Sequence, residues 1–177
     1  VIIKYNESYV WQKLVYYYDR STDFSDSEIA NFEPFSLNKT WASETLSGYS
    51  SYAIDSLNRF TRDKASASDV FDLDMYAKYL ALLDIFHSSH GNTWHNMRFY
   101  YNPVTAKLEP ITFDEYANYP EFTAASKKGD PIITRLFRDE TFVNLYVKYI
   151  KEILDEYDGF LNIESENLLR INYILSR

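Results

Sequence analysis

HSSHGNTWHNMRFYYNPVTAKLEPITFDE, running from His87 to Glu115, is where the helical spacing of this chain gives way to strands. Met97 to Tyr101 is rich in β-prone residues, Asn102-Pro103-Val104-Thr105 carries turn chemistry, and Leu108 to Phe113 reads as a returning strand. Pro110 has no N–H to give to a ladder, so the second strand is expected at a sheet edge or to leave that position unpaired. The same stretch gathers polar groups able to bind metal or phosphate. It holds all three histidines (His87, His90, His95), Asn92 and Asn96 before the first strand, and Asp114 and Glu115 after the second.

Outward from the hairpin the spacing is helical. Upstream, Leu73, Tyr76, Leu80 and Leu83 recur on one face, with Phe86-His87 extending it. Ala77, Tyr79, Ala81 and Leu82 thicken that stripe into a buried helix over about 73–88. Asp72 is its expected N-cap and Gly91 lies just past its end. Ala42, Leu46, Tyr49, Ala53, Leu57 and Phe60 predict another helix over 42–62, and Ala65-Ser66-Ala67-Ser68 reads as a loop between the two. Residues 7–19 show Val10, Leu14 and Tyr17 at helical spacing, and Ser25-Asp26-Ser27-Glu28 has a capping-box pattern.

Downstream, residues 117–131 look irregular, punctuated by Pro120, Gly129 and Pro131, and Lys127-Lys128-Gly129-Asp130 reads as a solvated loop. Ile132 to Phe137 predicts a short helix or turn. Residues 139–157 predict a strongly amphipathic helix through Phe142, Leu145, Tyr146, Tyr149, Ile150, Ile153, Leu154 and Tyr157, stopped at Gly159. Residues 164–176 predict a closing helix. The expected fold class is mainly α with a small β-hairpin, an α+β single domain over 1–177: helical over 1–90, hairpin over 97–114, helical over 132–177.

Composition narrows the function classes. At 177 residues with 46% apolar content, the chain is long enough to bury one substantial core. Seventeen tyrosines imply a core periphery with many hydroxyls in need of partners. A net charge of −8 without a dense basic patch argues against a nucleic-acid partner. The absence of cysteine excludes disulfides, thiolate zinc sites and a cysteine nucleophile. No run has the length of a membrane span, and there is no Gly-x-Ser-x-Gly elbow. A start at Val1 leads us to expect a piece of a longer protein.

An Asn before one strand of a hairpin and an Asp after the next converge at one end of it. Hard oxygen ligands in that arrangement suit Mg²⁺ bound to nucleotide phosphates. His87, His90 and His95 suggest instead a histidine-based site for a transition metal, hence a metal-dependent enzyme.

Three runs carry a more specific likeness: FDLDMYAKYLALL from Phe71 to Leu83, WHNMRFYYNP from Trp94 to Pro103, and LEPITFD from Leu108 to Asp114. With ITRLFRDETF from Ile133 to Phe142, their order and spacing resemble the CotH family, the spore-coat-protein-H-like atypical protein kinases, over roughly residues 42–177. The resemblance implies a protein-kinase-like C-terminal lobe that binds ATP and Mg²⁺ and acts on a protein hydroxyl. By position, Asn96 would be the catalytic-loop metal ligand and Asp114 the principal Mg²⁺ ligand, with both serving the nucleotide. The family's catalytic-loop Asp has no counterpart here, since Gly91-Asn92-Thr93 stands in its place. Asn92 and His95 are the groups that could orient an acceptor hydroxyl instead. The family's second metal Asp falls at Tyr116, with Glu115 adjacent as a substitute ligand. The nucleotide-clamping lysine and the N-terminal lobe are expected upstream. A catalytically inactive, pseudokinase-like binding or scaffold domain of a bacterial extracytoplasmic or cell-surface protein is the alternative.

Overall fold

The computed structural model describes residues 1–8, 11–12, 30–86, 88, 90–115 and 130–161, with side chains to residue 156 in the last helix. Of the helix expected over 7–19, Ser8, Trp11 and Gln12 are helical, Glu7 is not, and residues 9–10 and 13–19 lie outside the described residues. The capping box at Ser25–Glu28, residues 117–129 and the helix expected over 164–176 also lie outside them.

The fold is mixed α+β. Four strands, β1 (Ile2–Tyr5), β2 (Phe32–Pro34), β3 (Arg98–Asn102) and β4 (Lys107–Ile111), form an antiparallel sheet in the order β2-β1-β3-β4. The β3–β4 hairpin is therefore not an isolated ribbon, as the sequence suggests, but half of a sheet. Its other half comes from the N-terminal region expected to be helical. Ile2 and Ile3 are β-branched, and β1 alternates as a half-buried strand should, with Ile3 and Tyr5 inward and Lys4 outward. Pro110 does sit on an edge strand, opposite Phe99.

Six helices among the described residues pack with the sheet: α1 (Leu37–Trp41), α2 (Glu44–Thr61), α3 (Ala67–Val70), α4 (Leu73–Ile85), α5 (Pro131–Leu136) and α6 (Glu140–Leu161). α2 buries Ala53, Leu57 and Phe60, as its spacing predicts, and Ser43 caps it by accepting from the Leu46 amide at 3.3 Å. α3 corrects the loop expected over 65–68. Ser66 and Asp69 form a full capping box, each side chain taking the other's backbone N–H.

Asp72 caps α4 as expected, accepting from Met75 N at 3.0 Å, but the helix ends at Ile85 and leaves Phe86 exposed. α6 turns Phe142 and Tyr149 into the core and runs through Gly159 rather than stopping there. α4 and α6 are further tied by Tyr146 donating to Asp84 and Tyr149 donating to Asp74.

The core lies between the inner sheet face and the helices. Ile3, Tyr5, Phe99 and Leu108 of the sheet meet Leu57, Phe71, Tyr76, Leu80, Ile132 and Ile133, all buried. Each such side chain contributes about 1.5–3 kcal/mol by leaving water. The Asp72 amide donates to the Leu108 carbonyl at 3.0 Å, which fixes the start of α4 against β4. No described helix is long and apolar enough to cross a membrane.

Candidate functional site at the open end of the hairpin

Pairing of Arg98 with Ile111 sets the end of the hairpin opposite its turn. There the loop of residues 90–93, the 3₁₀ turn Trp94–Asn96 and the segment 112–115 meet. Trp94 anchors the loop: it is fully buried and its ring stands edge-on to Tyr5, with centroids 5.5 Å apart.

The two consecutive carboxylates at this end have opposite fates. Asp114 adopts a positive φ of 52°, a left-handed turn that few L residues other than Asn and Asp accept. Its side chain is 56% exposed, with Oδ2 3.3 Å from His90 Nε2. Glu115 turns inward. Its Oε1 accepts from the Tyr79 hydroxyl at 2.8 Å, and its Oε2 from Ser88 Oγ at 3.2 Å and Gly91 N at 3.1 Å. Three donors on one carboxylate join α4, the loop and the strand exit. Burial, together with the Glu115 charge, pushes the Tyr79 phenol far above its ordinary range, so it stays a donor. Gly91 is required by this approach, because a Cβ there would meet Glu115 Oε1 at 2.2 Å and the Phe113 carbonyl oxygen at 2.3 Å.

Asn96 is buried and linked to Asp114 through His90: its Nδ2 donates to the His90 carbonyl at 3.4 Å. Asn92 is also buried, with neither end of its amide hydrogen-bonded among the described residues. His95 lies against Trp94, with ring centroids 5.6 Å apart. Burial pulls the His95 imidazole below its usual 6.5, against the attraction of Glu7, so it is neutral at neutral pH. The His90 and His95 rings are 6.5 Å apart between centroids, and His87 lies outside the described residues.

Arg98 and Glu7 were not singled out from the sequence, yet they hold the loop. Arg98 is 5% exposed. Its Nη1 donates to the His95 and Met97 carbonyls at 2.9 and 3.0 Å, and its Nη2 to Glu7 Oε1 at 2.7 Å. The guanidinium lies 4.3 Å from the Phe113 ring centroid and 5.6 Å from that of Phe35. One side chain thus grips both halves of the site, the loop through its carbonyls and the Asp114 segment through Phe113. No local pattern marks this role, since Glu7 is 91 residues away in sequence.

Among the described residues no three His, Cys, Asp or Glu side chains gather as a protein-built metal cage requires. Mg²⁺ on a nucleotide needs no such cage, because one or two protein oxygens suffice beside phosphates and water. The exposed Asp114 carboxylate and the Asn96 carboxamide are hard oxygen donors of that type.

No family model, no curated protein and no solved structure matches this chain.

Proposed function

We propose that this chain is the helical lobe of a CotH-like, protein-kinase-like domain and that it binds a magnesium–nucleotide complex at the open end of the β3–β4 hairpin. The observation that carries the reading is the division of labour between adjacent carboxylates. Glu115 is committed to three internal donors, whereas Asp114 is turned outward beside the loop that holds Asn96. Asp114 and Asn96 would hold the Mg²⁺, which when bound neutralises phosphate charge. His90 positions the Asp114 carboxylate, and Arg98 and Glu115 keep the two sides of the site in register. Most of the work asked of such a site is positioning and electrostatics.

Transfer of phosphate to a protein hydroxyl would rest on Asn92 or His95 as the orienting group. A second reading, a binding domain without transfer, is favoured by one observation: the described loop from His90 to Asn96 contains no carboxylate.

The test is a thermal-shift titration with ATP, with and without Mg²⁺, on the wild type and Asp114→Ala. The expected result is stabilisation that needs both ligands and disappears in the variant. At a ligand concentration a hundredfold above Kd, the gain would be about 2.7 kcal/mol. A folded protein that shows no shift would sink the nucleotide reading. If the shift is present but no phosphorylated product forms, the binding-domain reading stands.

A further inference from the structure

A cavity of about 290 Å³ lies at the opposite end of β1 from its N-terminus, with Tyr5 and Phe32 on the sheet side. Apart from Tyr5, whose ring also supports Trp94, it shares no residue with the hairpin site. Asn58, Thr61 and Arg62 line it from the end of α2, Arg135 from α5, and Asn31 from the approach to β2. Two guanidiniums on one cavity stand out in a chain of net charge −8.

The two arginines are in different states. Arg135 is held by Asp63, which accepts from its Nε at 2.9 Å and its Nη2 at 3.3 Å, and its Nη1 reaches the Pro131 carbonyl at 3.3 Å. Each of its terminal nitrogens keeps a further N–H. Arg62 has no carboxylate partner among the described residues. It is the C-cap of α2, where the Lys64 amide donates to the Arg59 carbonyl and the Asp63 amide to the Phe60 carbonyl. This Schellman pattern, with Asp63 at a positive φ of 55°, fixes Arg62 and the partner of Arg135 in adjacent positions. The Thr61 hydroxyl already donates to the Asn58 carbonyl, so the donors left for a ligand are the guanidiniums and the two asparagine amides.

We infer that this cavity is a binding site for the phosphate group of a small molecule. The Arg62 fork and the N–H groups that Arg135 keeps beyond its pairing with Asp63, flanked by neutral amides, match an acceptor-only dianion. The volume suits a phosphate with a small organic substituent and is too small for a large cofactor.

Isothermal titration of the full chain with inorganic phosphate and with glycerol phosphate, at low salt, tests this. Saturable binding of at least one of them is expected, weakened about tenfold in Arg62→Gln. Tighter binding of glycerol phosphate would assign an organic phosphomonoester, and tighter binding of phosphate the free ion. Arg62 is exposed, so Arg62→Gln should melt like the wild type, and Asp114→Ala should bind both ligands unchanged. Absence of saturable binding, or equal affinity in a folded Arg62→Gln variant, overturns the assignment.

Discussion

Asp130 lies at the start of α5, fully buried, with Oδ1 accepting from the Ile132 and Ile133 amides and Oδ2 without a hydrogen-bond partner among the described residues. The sequence reads this residue as part of a solvated loop. Instead it caps a helix from inside the protein, with Pro131 in the first helical position, where its missing N–H costs nothing. Burial outweighs the two amides and Arg135, and raises the carboxyl from 3.8 to about 6. The folded state therefore holds this proton more tightly than the unfolded chain does. The stabilisation from that proton is complete below about pH 4 and is lost as pH rises through about 6, a change of roughly 2–3 kcal/mol. Asp130→Asn keeps the capping oxygen and removes the ionisation. Its expected effect is a higher Tm than the wild type at pH 7.5 and a flatter stability profile between pH 4 and 7. An unchanged profile would show that Asp130 is not the group responsible. Arg98→Leu is a second test at this scale. It removes the bonds to the His95 and Met97 carbonyls and the stacking on Phe113. Glu7 keeps Lys4, 3.2 Å away, so the loss should be about 2–4 kcal/mol by chemical denaturation, below that of stranding a buried charge.

At the scale of elements, what was legible followed from local periodicity and local caps. α2, α4 and α6 were readable because each repeats apolar residues over several turns, and Asp72 announces its helix by side-chain chemistry that depends only on Met75, three residues on. β2 was not readable. It has three residues, one of them Pro34, and owes its existence to pairing with Ile3, Lys4 and Tyr5. Ala65-Ser66-Ala67-Ser68 has loop composition and hides α3, because its decisive partner, Asp69, lies one residue further on. The spacing places Phe86 on the apolar face of α4, but the helix ends one residue earlier and the ring is left 54% exposed. The loop before β3 offers the sharpest test of element packing. In Gly91→Ala the new methyl would meet a main-chain carbonyl at 2.3 Å as well as Glu115. Backbone cannot swing aside as a side-chain end can, so the expected loss is above about 2 kcal/mol, and Gly91→Ala with Glu115→Ala should recover only part of it. Full recovery in the double variant, measured by urea denaturation, would mean that the carboxylate alone sets the constraint.

Over the whole molecule, the sheet joins the N-terminus to the candidate site. β1 lies between β2 and β3, its Tyr5 supports Trp94, and Glu7 just beyond it holds Arg98. The sequence drew attention to the hairpin because its polar residues are consecutive. It did not reveal the support from residues 2–7, because those contacts bridge about ninety positions and leave no trace in spacing. The convergence of the loop with Asp114 was legible, since a hairpin of fixed register returns its two ends to one place. The inward turn of Glu115 was not, because it depends on Tyr79 from another helix.

The most direct measurement of the central proposal is paramagnetic broadening of backbone amide signals by Mn²⁺, substituted for Mg²⁺, in the presence of a nucleotide. Selective loss of the signals of residues 90–96 and 113–115 is expected, dependent on nucleotide and abolished by Asp114→Ala. Broadening that spreads over the acidic surface, or that persists unchanged in the variant, would contradict it.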